Sequence, residues 1–188
     1  MLVNFFQNSL PFLADGGNNN LMYKILYIKH SDITEIYINE IIAIKSAAWQ
    51  YSDKSHREWL SKNLKSSDIH VFLYMKERVV AYLNLISIEL NVNTIKVSGL
   101  GVGNVCAFEK GKSWGTELMS RVNTFIKKNN CIGLLFCKNT LIEFYQKQNW
   151  SVLEHSNCNL LIENSKIVIM YYSPTEHVQS LYYSGKTF

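Results

Sequence analysis

The densest chemistry in this sequence is the run Lys110-Gly111-Lys112-Ser113-Trp114-Gly115, set between a β-rich stretch and a helical one. Glycine and small residues let consecutive backbone N–H groups converge on one point, and the start of the following helix adds partial positive charge. Lys110 and Lys112 contribute full charges. The combination suits an anion, a diphosphate best; the competing reading is a solvated basic turn. Two familiar nucleotide patterns fail on named residues. Gly111-Lys112-Ser113 ends like a P-loop, but that motif's leading glycine falls on Cys106. Gly99, Gly101 and Gly103 give GxGxG, but the third glycine of a dinucleotide fingerprint falls on Asn104.

Proton-transfer groups are scattered. Tyr145 carries a phenol that stays protonated at neutral pH and can serve a leaving group, although a tyrosine on a helix also packs well in a core. Glu89 ends a strand, where a carboxylate either faces a cleft as a base or lies in solvent. Asp53, His56 and Glu58 read as surface residues, and His30, His70, His155 and His177 lack partner spacing and read as structural or exposed. Cys106, Cys131, Cys137 and Cys158 form no CxxC pair and have no spaced histidines, so no metal site is expected and the chain reads as reduced and cytoplasmic. Cys106 and Cys137 fall on strands, where buried thiols are usually inert.

These residues need a scaffold. Tyr23 to Lys29 predicts a strand; Asp32 with Glu35 predicts a capping box opening a helix to about Gln50, with Ile33, Ile36, Ile41, Ile44 and Ala48 on its apolar side. A short helix fits Ser55 to Asn63. Ile69 to Met75 and Val79 to Ile88 make a hairpin around Lys76-Glu77-Arg78, and Thr94 to about Cys106 a strand weakened by its glycines, which signal a bulge or a close approach. Thr116 to Lys128 is an amphipathic helix, Cys131 to Cys137 a buried strand, and Thr140 with Glu143 caps a helix through Tyr145. Trp150 to Leu161 and Lys166 to Tyr172 close the domain as a hairpin. The order β α α β β β α β α β β predicts a mixed α/β domain around one sheet.

With 188 residues, 47% hydrophobic and 18% charged, the chain has material for a single full core, and disorder is excluded. The net charge of +4, from 19 basic and 15 acidic residues, is dispersed, so no nucleic-acid footprint is expected; nor is a membrane partner, since no apolar run reaches the ~20 residues of a span. Residues 1–20 read as a leader and loop without a basic signal, 21–173 as the domain. Residues 174–188 read as a tail that packs back beside the cleft, because Tyr182, Tyr183 and Phe188 gain from burial.

GLGVGNVCAFEKGKSWGTELM followed by LLFCKNTLIEFYQKQNW resembles the GNAT family of acetyl-CoA-dependent N-acetyltransferases, and its pattern is similar to the aminoglycoside 2'-N-acetyltransferase-like branch. The resemblance implies a single, mostly antiparallel twisted sheet with one splayed strand and about four helices. It implies a loop of the form (Q/R)xxGx(G/A) around the coenzyme A pyrophosphate, with Lys110 at the basic position, Ser113 at the first glycine and Gly115 at the second; Gly111, Lys112, Trp114 and Thr116 complete it. It further implies acetyl transfer to a small-molecule or peptide amine by a monomer or homodimer. A backbone donor between Gly103 and Cys106, best Val105, would polarise the carbonyl, Tyr145 would act as general acid, and Asn139 would contact the coenzyme or else serve as a helix cap or loop contact. The resemblance names no base; Glu89 is the candidate from its strand-end position, facing the cleft directly or through water, or else solvated. Asp53, His56 and Glu58 lie in the region that covers the acceptor in this family. The sequence departs from the pattern at Lys110, Ser113 and Asn149, and Ser113 is costly if that position needs a positive φ. The alternative is a GNAT fold that keeps acyl-CoA but has lost turnover.

Overall fold

The computed structural model describes residues 12–13, 23–153, 167–174, 178–185 and 187–188. The strands are β1 (Phe12–Leu13), β2 (Tyr23–Lys29), β3 (Ile69–Met75), β4 (Arg78–Val92), β5 (Ile95–Ala107), β6 (Ile132–Lys138), β7 (Ser151–Val152), β8 (Ile167–Tyr172) and β9 (Leu181–Tyr182). The helices are α1 (Glu35–Ala48), α2 (Asp53–Asn63), α3 (Trp114–Lys128) and α4 (Ile142–Gln146). One sheet runs β1-β2-β3-β4-β5-β6-β8-β7, with β9 added to β4. Every pairing is antiparallel except β5 with β6, which α3 connects. This is the mixed α/β single domain expected, with four α-helices among the described residues and an open, mostly antiparallel sheet.

The alternating side chains of the strands sort the core onto two faces. Val71, Leu83, Leu85 and Val102 face α3, whose Leu118, Val122 and Ile126 are fully buried against them. Leu26, Phe72 and Tyr82 point the other way, to Ile41 and Ile44 of α1 and Leu60 of α2. A third cluster, around Leu134, Ile169, Leu181 and Tyr183, closes the β6 and β8 end.

Several local expectations need correction. Thr34, not Asp32, precedes α1; Asp32 lies in a 3-10 turn over His30–Asp32 and accepts a hydrogen bond from the Ser31 hydroxyl. The buried face of α1 is Ile41, Ile42, Ile44 and Lys45, while Ile36 is 73% exposed; in the same first turns it is Tyr37 and Ile38 that pack toward the sheet, Tyr37 against Phe72. Thr140 caps nothing: it lies in a 3-10 turn over Asn139–Leu141, and α4 starts at Ile142. α3 begins two residues earlier than the pattern suggests, at Trp114. The first strand of the closing hairpin is β7, and residues 154–166, with His155 and Cys158, lie outside the described residues, as does His177. The glycines do not interrupt β5, which runs unbroken because a bulge absorbs the irregularity at Asn104 instead.

Among the described residues no helix is long and apolar enough to cross a membrane.

Candidate active site

The site is made by a fork in the sheet. β5 and β6 pair in register from Gly99–Ile132 to Val102–Leu135 and then separate. Beyond that point β6 stays with β8 through Lys138–Ile167, while β5 stays with β4 through Ala107–Ala81. From Gly103 onward β5 has no strand on its β6 side among the described residues, so backbone N–H groups facing that way lack sheet partners there. The bulge sits at the same place. Asn84 opposes Gly103 and Tyr82 opposes Cys106, which leaves Asn104 and Val105 against the single residue Leu83. Asn104 takes φ 53, and its side-chain Nδ2 donates to Asn84 Oδ1 at 2.6 Å.

Two cavities open from the fork. The first, about 580 Å³, is lined by Val105 to Thr116, Ala47, Ala48, Leu141, Phe144 and Tyr145. It brings together Val105, Lys110, Gly111, Lys112, Ser113, Trp114, Gly115 and Thr116, all the loop residues singled out in the sequence. Gly111 has φ 78 and Ser113 φ 58, so two left-handed residues turn the loop into α3. The first bond inside that helix runs from Glu117 N–H to the Ser113 carbonyl. The amides of Trp114, Gly115 and Thr116 therefore have no partner within the helix and are free for an anion. Gly115 faces the Phe144 ring of α4, where a β-carbon would stand in ordinary contact at 3.4 Å. Lys110 and Lys112 are exposed, and Lys112 lies 3.9 Å from Glu109.

The second cavity, about 760 Å³, lies across the fork on the α1 and α2 side. Its walls include Gly103 and Val105 of β5, Phe136 and Lys138 of β6, Trp49, Tyr51, His56 and Trp59, with Phe188 from the tail. Tyr145, Val105 and Leu141 border both cavities. Tyr145 is 5% exposed, packed edge-on to Phe144 and Trp150, and burial pushes its phenol above the ordinary value. Its helix is pinned from behind. The Trp150 indole donates to Asn123 Oδ1 at 3.0 Å, and Asn123 Nδ2 donates to the Gln148 carbonyl at 2.7 Å. Asn149 takes φ 63 at the turn between them.

Two expected site residues are not brought here. Glu89 is two-thirds exposed, pairs with Lys96 at 2.9 Å and borders a separate cavity with Lys62, Ile88 and Tyr183, because β4 carries it past the fork. Asn139 is exposed at the start of the 3-10 turn and borders neither cavity of the fork; its carbonyl accepts from the Ile142 amide.

The fork also holds one residue that the sequence reading did not name, Lys45, and one that it placed at the surface. His56, expected at the surface, is 2% exposed, and its Nε2 has no hydrogen-bond partner. Burial, helped by the nearby Lys45 ammonium, holds its imidazole below the ordinary range, and a hydrogen bond to the Trp49 backbone orients the ring. Lys45 is 3% exposed, its Nζ 4.3 Å from the centre of the Trp59 ring. Burial lowers this ammonium to about 8. Both had a signal in the sequence: Lys45 follows Ile41 by four residues and His56 precedes Leu60 by four, so each falls on the buried stripe of its helix. Cys106 and Cys137 are buried, and their thiols are raised to about 12 and about 11, un-ionised at neutral pH.

A family model described as an acetyltransferase (GNAT) domain matches residues 29–170. Among solved structures, the chain is similar to Escherichia coli ElaA, with a TM-score of 0.56 at 16% identity, covering 80% of this chain and 99% of that one. An acyl-CoA N-acyltransferase from Pseudomonas aeruginosa gives 0.59 at 13% identity over 80% and 99%. An aminoglycoside 6'-N-acetyltransferase complexed with coenzyme A gives 0.55 at 12% identity over 78% and 95%. At these identities the likeness is one of fold. No curated protein matches the sequence. The family match runs from the end of β2 into β8 and so takes in the whole fork with most of the walls of both cavities, and the chain belongs to the GNAT acetyltransferase family.

Proposed function

We propose that the protein transfers an acetyl group from acetyl-CoA directly to a primary amine, with the coenzyme entering through the loop cavity and the acceptor through the cavity beside α1 and α2. The observation that carries this reading is Tyr145, which borders both cavities at the point where β5 and β6 part. The loop amides of Trp114 to Thr116 and the charges of Lys110 and Lys112 suit the pyrophosphate, and the unpaired N–H groups near Val105 suit the thioester carbonyl.

The reaction then needs a neutral amine. Burial holds His56 below its ordinary range in the wall of the acceptor cavity, and its covered Nε2 accepts a proton from the ammonium through one water once a shift of the wall uncovers it. The amine nitrogen attacks the carbonyl carbon while backbone N–H groups hold the oxygen. The C–S bond breaks with its electron pair going to sulfur, and Tyr145 gives sulfur its proton. The phenol recovers that proton from the nitrogen that becomes the amide, and His56 returns its own to solvent. Glu89, away from the fork, has no part in this path. No cysteine carries the acetyl group, since the two thiols at the fork stay un-ionised.

Tyr145→Phe tests the assignment. Turnover is expected to fall by about 100-fold or more, while the rise in melting temperature with acetyl-CoA stays within error. Equal turnover would return Tyr145 to packing alone. The reading as a coenzyme-binding module without turnover gains support only if acetyl-CoA binds and no amine releases coenzyme A.

A further inference from the structure

The acceptor cavity has a charge that the family assignment does not explain. Two lysines, Lys45 and Lys138, are among its lining residues, and among the described residues no aspartate or glutamate is. Lys138 is exposed at the end of β6, but Lys45 is buried in the wall. Its ammonium has no carboxylate partner among the described residues; it meets the rings of Trp59 and Trp49 and the un-ionised thiol of Cys106. A buried charge without a counterion is costly, and cation–π contact repays only part of that. Beside it, in the same wall, the Nε2 of His56 is buried without a partner. The wall also carries the rings of Trp49, Tyr51, Trp59, Phe136 and Phe188, beside Ser55, Asn104 and the aliphatic Val102, Val105 and Leu141.

We propose that the acceptor is a monoamine bearing a carboxylate on an aromatic body, an aromatic α-amino acid or its close analogue, and that Lys45 is the counterion that selects it. This rests on reading the cavity as the acceptor site. A carboxylate on the Lys45 ammonium supplies the missing charge, and an aromatic side chain fits between the rings. The acceptor amine is left to face His56. The same wall disfavours a polycation: a polyamine of the kind the 2'-N-acetyltransferase-like branch would take meets two lysines and, among the described residues, no acid. Acceptors with several ammonium groups are therefore poor substrates, whatever the ring system that carries them.

The test separates recognition from turnover. Calorimetry measures N-acetylphenylalanine, the product of such a transfer, and its neutral amide binding to the full chain and to Lys45→Gln and Lys45→Arg. The wild type is expected to bind the carboxylate about tenfold or more tighter than the amide, with the ratio falling to about one in Lys45→Gln and partly recovering in Lys45→Arg. The acetyl-CoA melting shift should be the same in all three. Equal affinity of the two compounds for the wild type, or binding of neither, overturns the proposal even if Lys45→Gln fails to fold. A second measurement compares coenzyme A release with phenylalanine, with phenylethylamine and with a polyamine. Faster release with either decarboxylated compound contradicts the proposal. If no amine releases coenzyme A while the carboxylate preference holds, transfer fails and the recognition by Lys45 stands.

Discussion

Ser113 sits where the loop turns into α3, with φ 58, a region that a side chain enters at a cost of about 1 kcal/mol and glycine enters freely. Ser113→Gly is therefore expected to raise the melting temperature slightly and to leave acetyl-CoA binding equal or tighter. A lower melting temperature together with weaker binding would mean that the serine hydroxyl does work the backbone geometry does not reveal. The loop as a whole was legible in the sequence because its residue types are contiguous. Tyr145 was legible from the pattern around it. Lys45 and His56 were not, since a charged residue on a helix is usually solvated, and only the stripe of Ile41, Ile42 and Ile44, or of Leu60, marks the buried side. Glu89 misled for the opposite reason: a carboxylate near a strand end says nothing about which cavity that strand passes.

At the level of elements, the short helix α4 depends on neighbours to hold Tyr145, since a single five-residue turn has little stability of its own. Asn123 of α3 is the clamp. It accepts from the Trp150 indole and donates to the Gln148 carbonyl, and Trp150 in turn lies 2.6 Å from where a β-carbon on Gly133 of β6 would stand. Asn123→Ala leaves a buried indole N–H and a carbonyl unpaired, and is expected to cost about 2–4 kcal/mol in urea unfolding. Turnover should fall further than coenzyme binding if Tyr145 is the proton donor proposed above, because Tyr145 moves while the loop does not. Unchanged stability would show that the clamp is replaced by water. The elements themselves followed from periodicity, but their first residues did not. Capping patterns at Asp32 and Thr140 matched by residue type, while tertiary contacts set the helix starts at Glu35 and Ile142.

Across the whole molecule, the α1 side of the sheet buries a hydrogen-bonded chain. His30 Nδ1 lies 2.9 Å from His70 Nε2, and His70 Nδ1 lies 2.7 Å from the Tyr82 hydroxyl. Burial, with the charges of His30 and Lys45 nearby, lowers His70 from 6.5 to about 3. The folded protein thus keeps this ring neutral in a range where the unfolded chain protonates it. Between those values the unfolded state binds more protons, so stability falls as pH falls, by roughly 1.4 kcal/mol per pH unit from this one site. Above 6.5 the site adds no slope. His70→Gln should flatten the fall of the urea midpoint with acidification; parallel profiles would place the acid sensitivity elsewhere. The tail belongs to this scale too. β9 pairs with β4, the Asn93 side chain accepts from the amides of Gln179 and Ser180, and the Phe188 ring stands edge-on to Phe136 over Gly101. Gly101 has no side chain where that ring lies, a close approach that the spaced glycines of β5 signalled without naming the partner.

The account turns on acyl transfer across the fork, and the most direct measurement is a product analysis. The wild-type protein is incubated with acetyl-CoA and a panel of amines that includes phenylalanine, and both the free thiol and the acetylated amine are quantified by mass spectrometry. One acetylated amine is expected for each coenzyme A released, with Tyr145→Phe losing both in step. Coenzyme A release without an acetylated amine, or no release with any amine despite a clear acetyl-CoA melting shift, would contradict it.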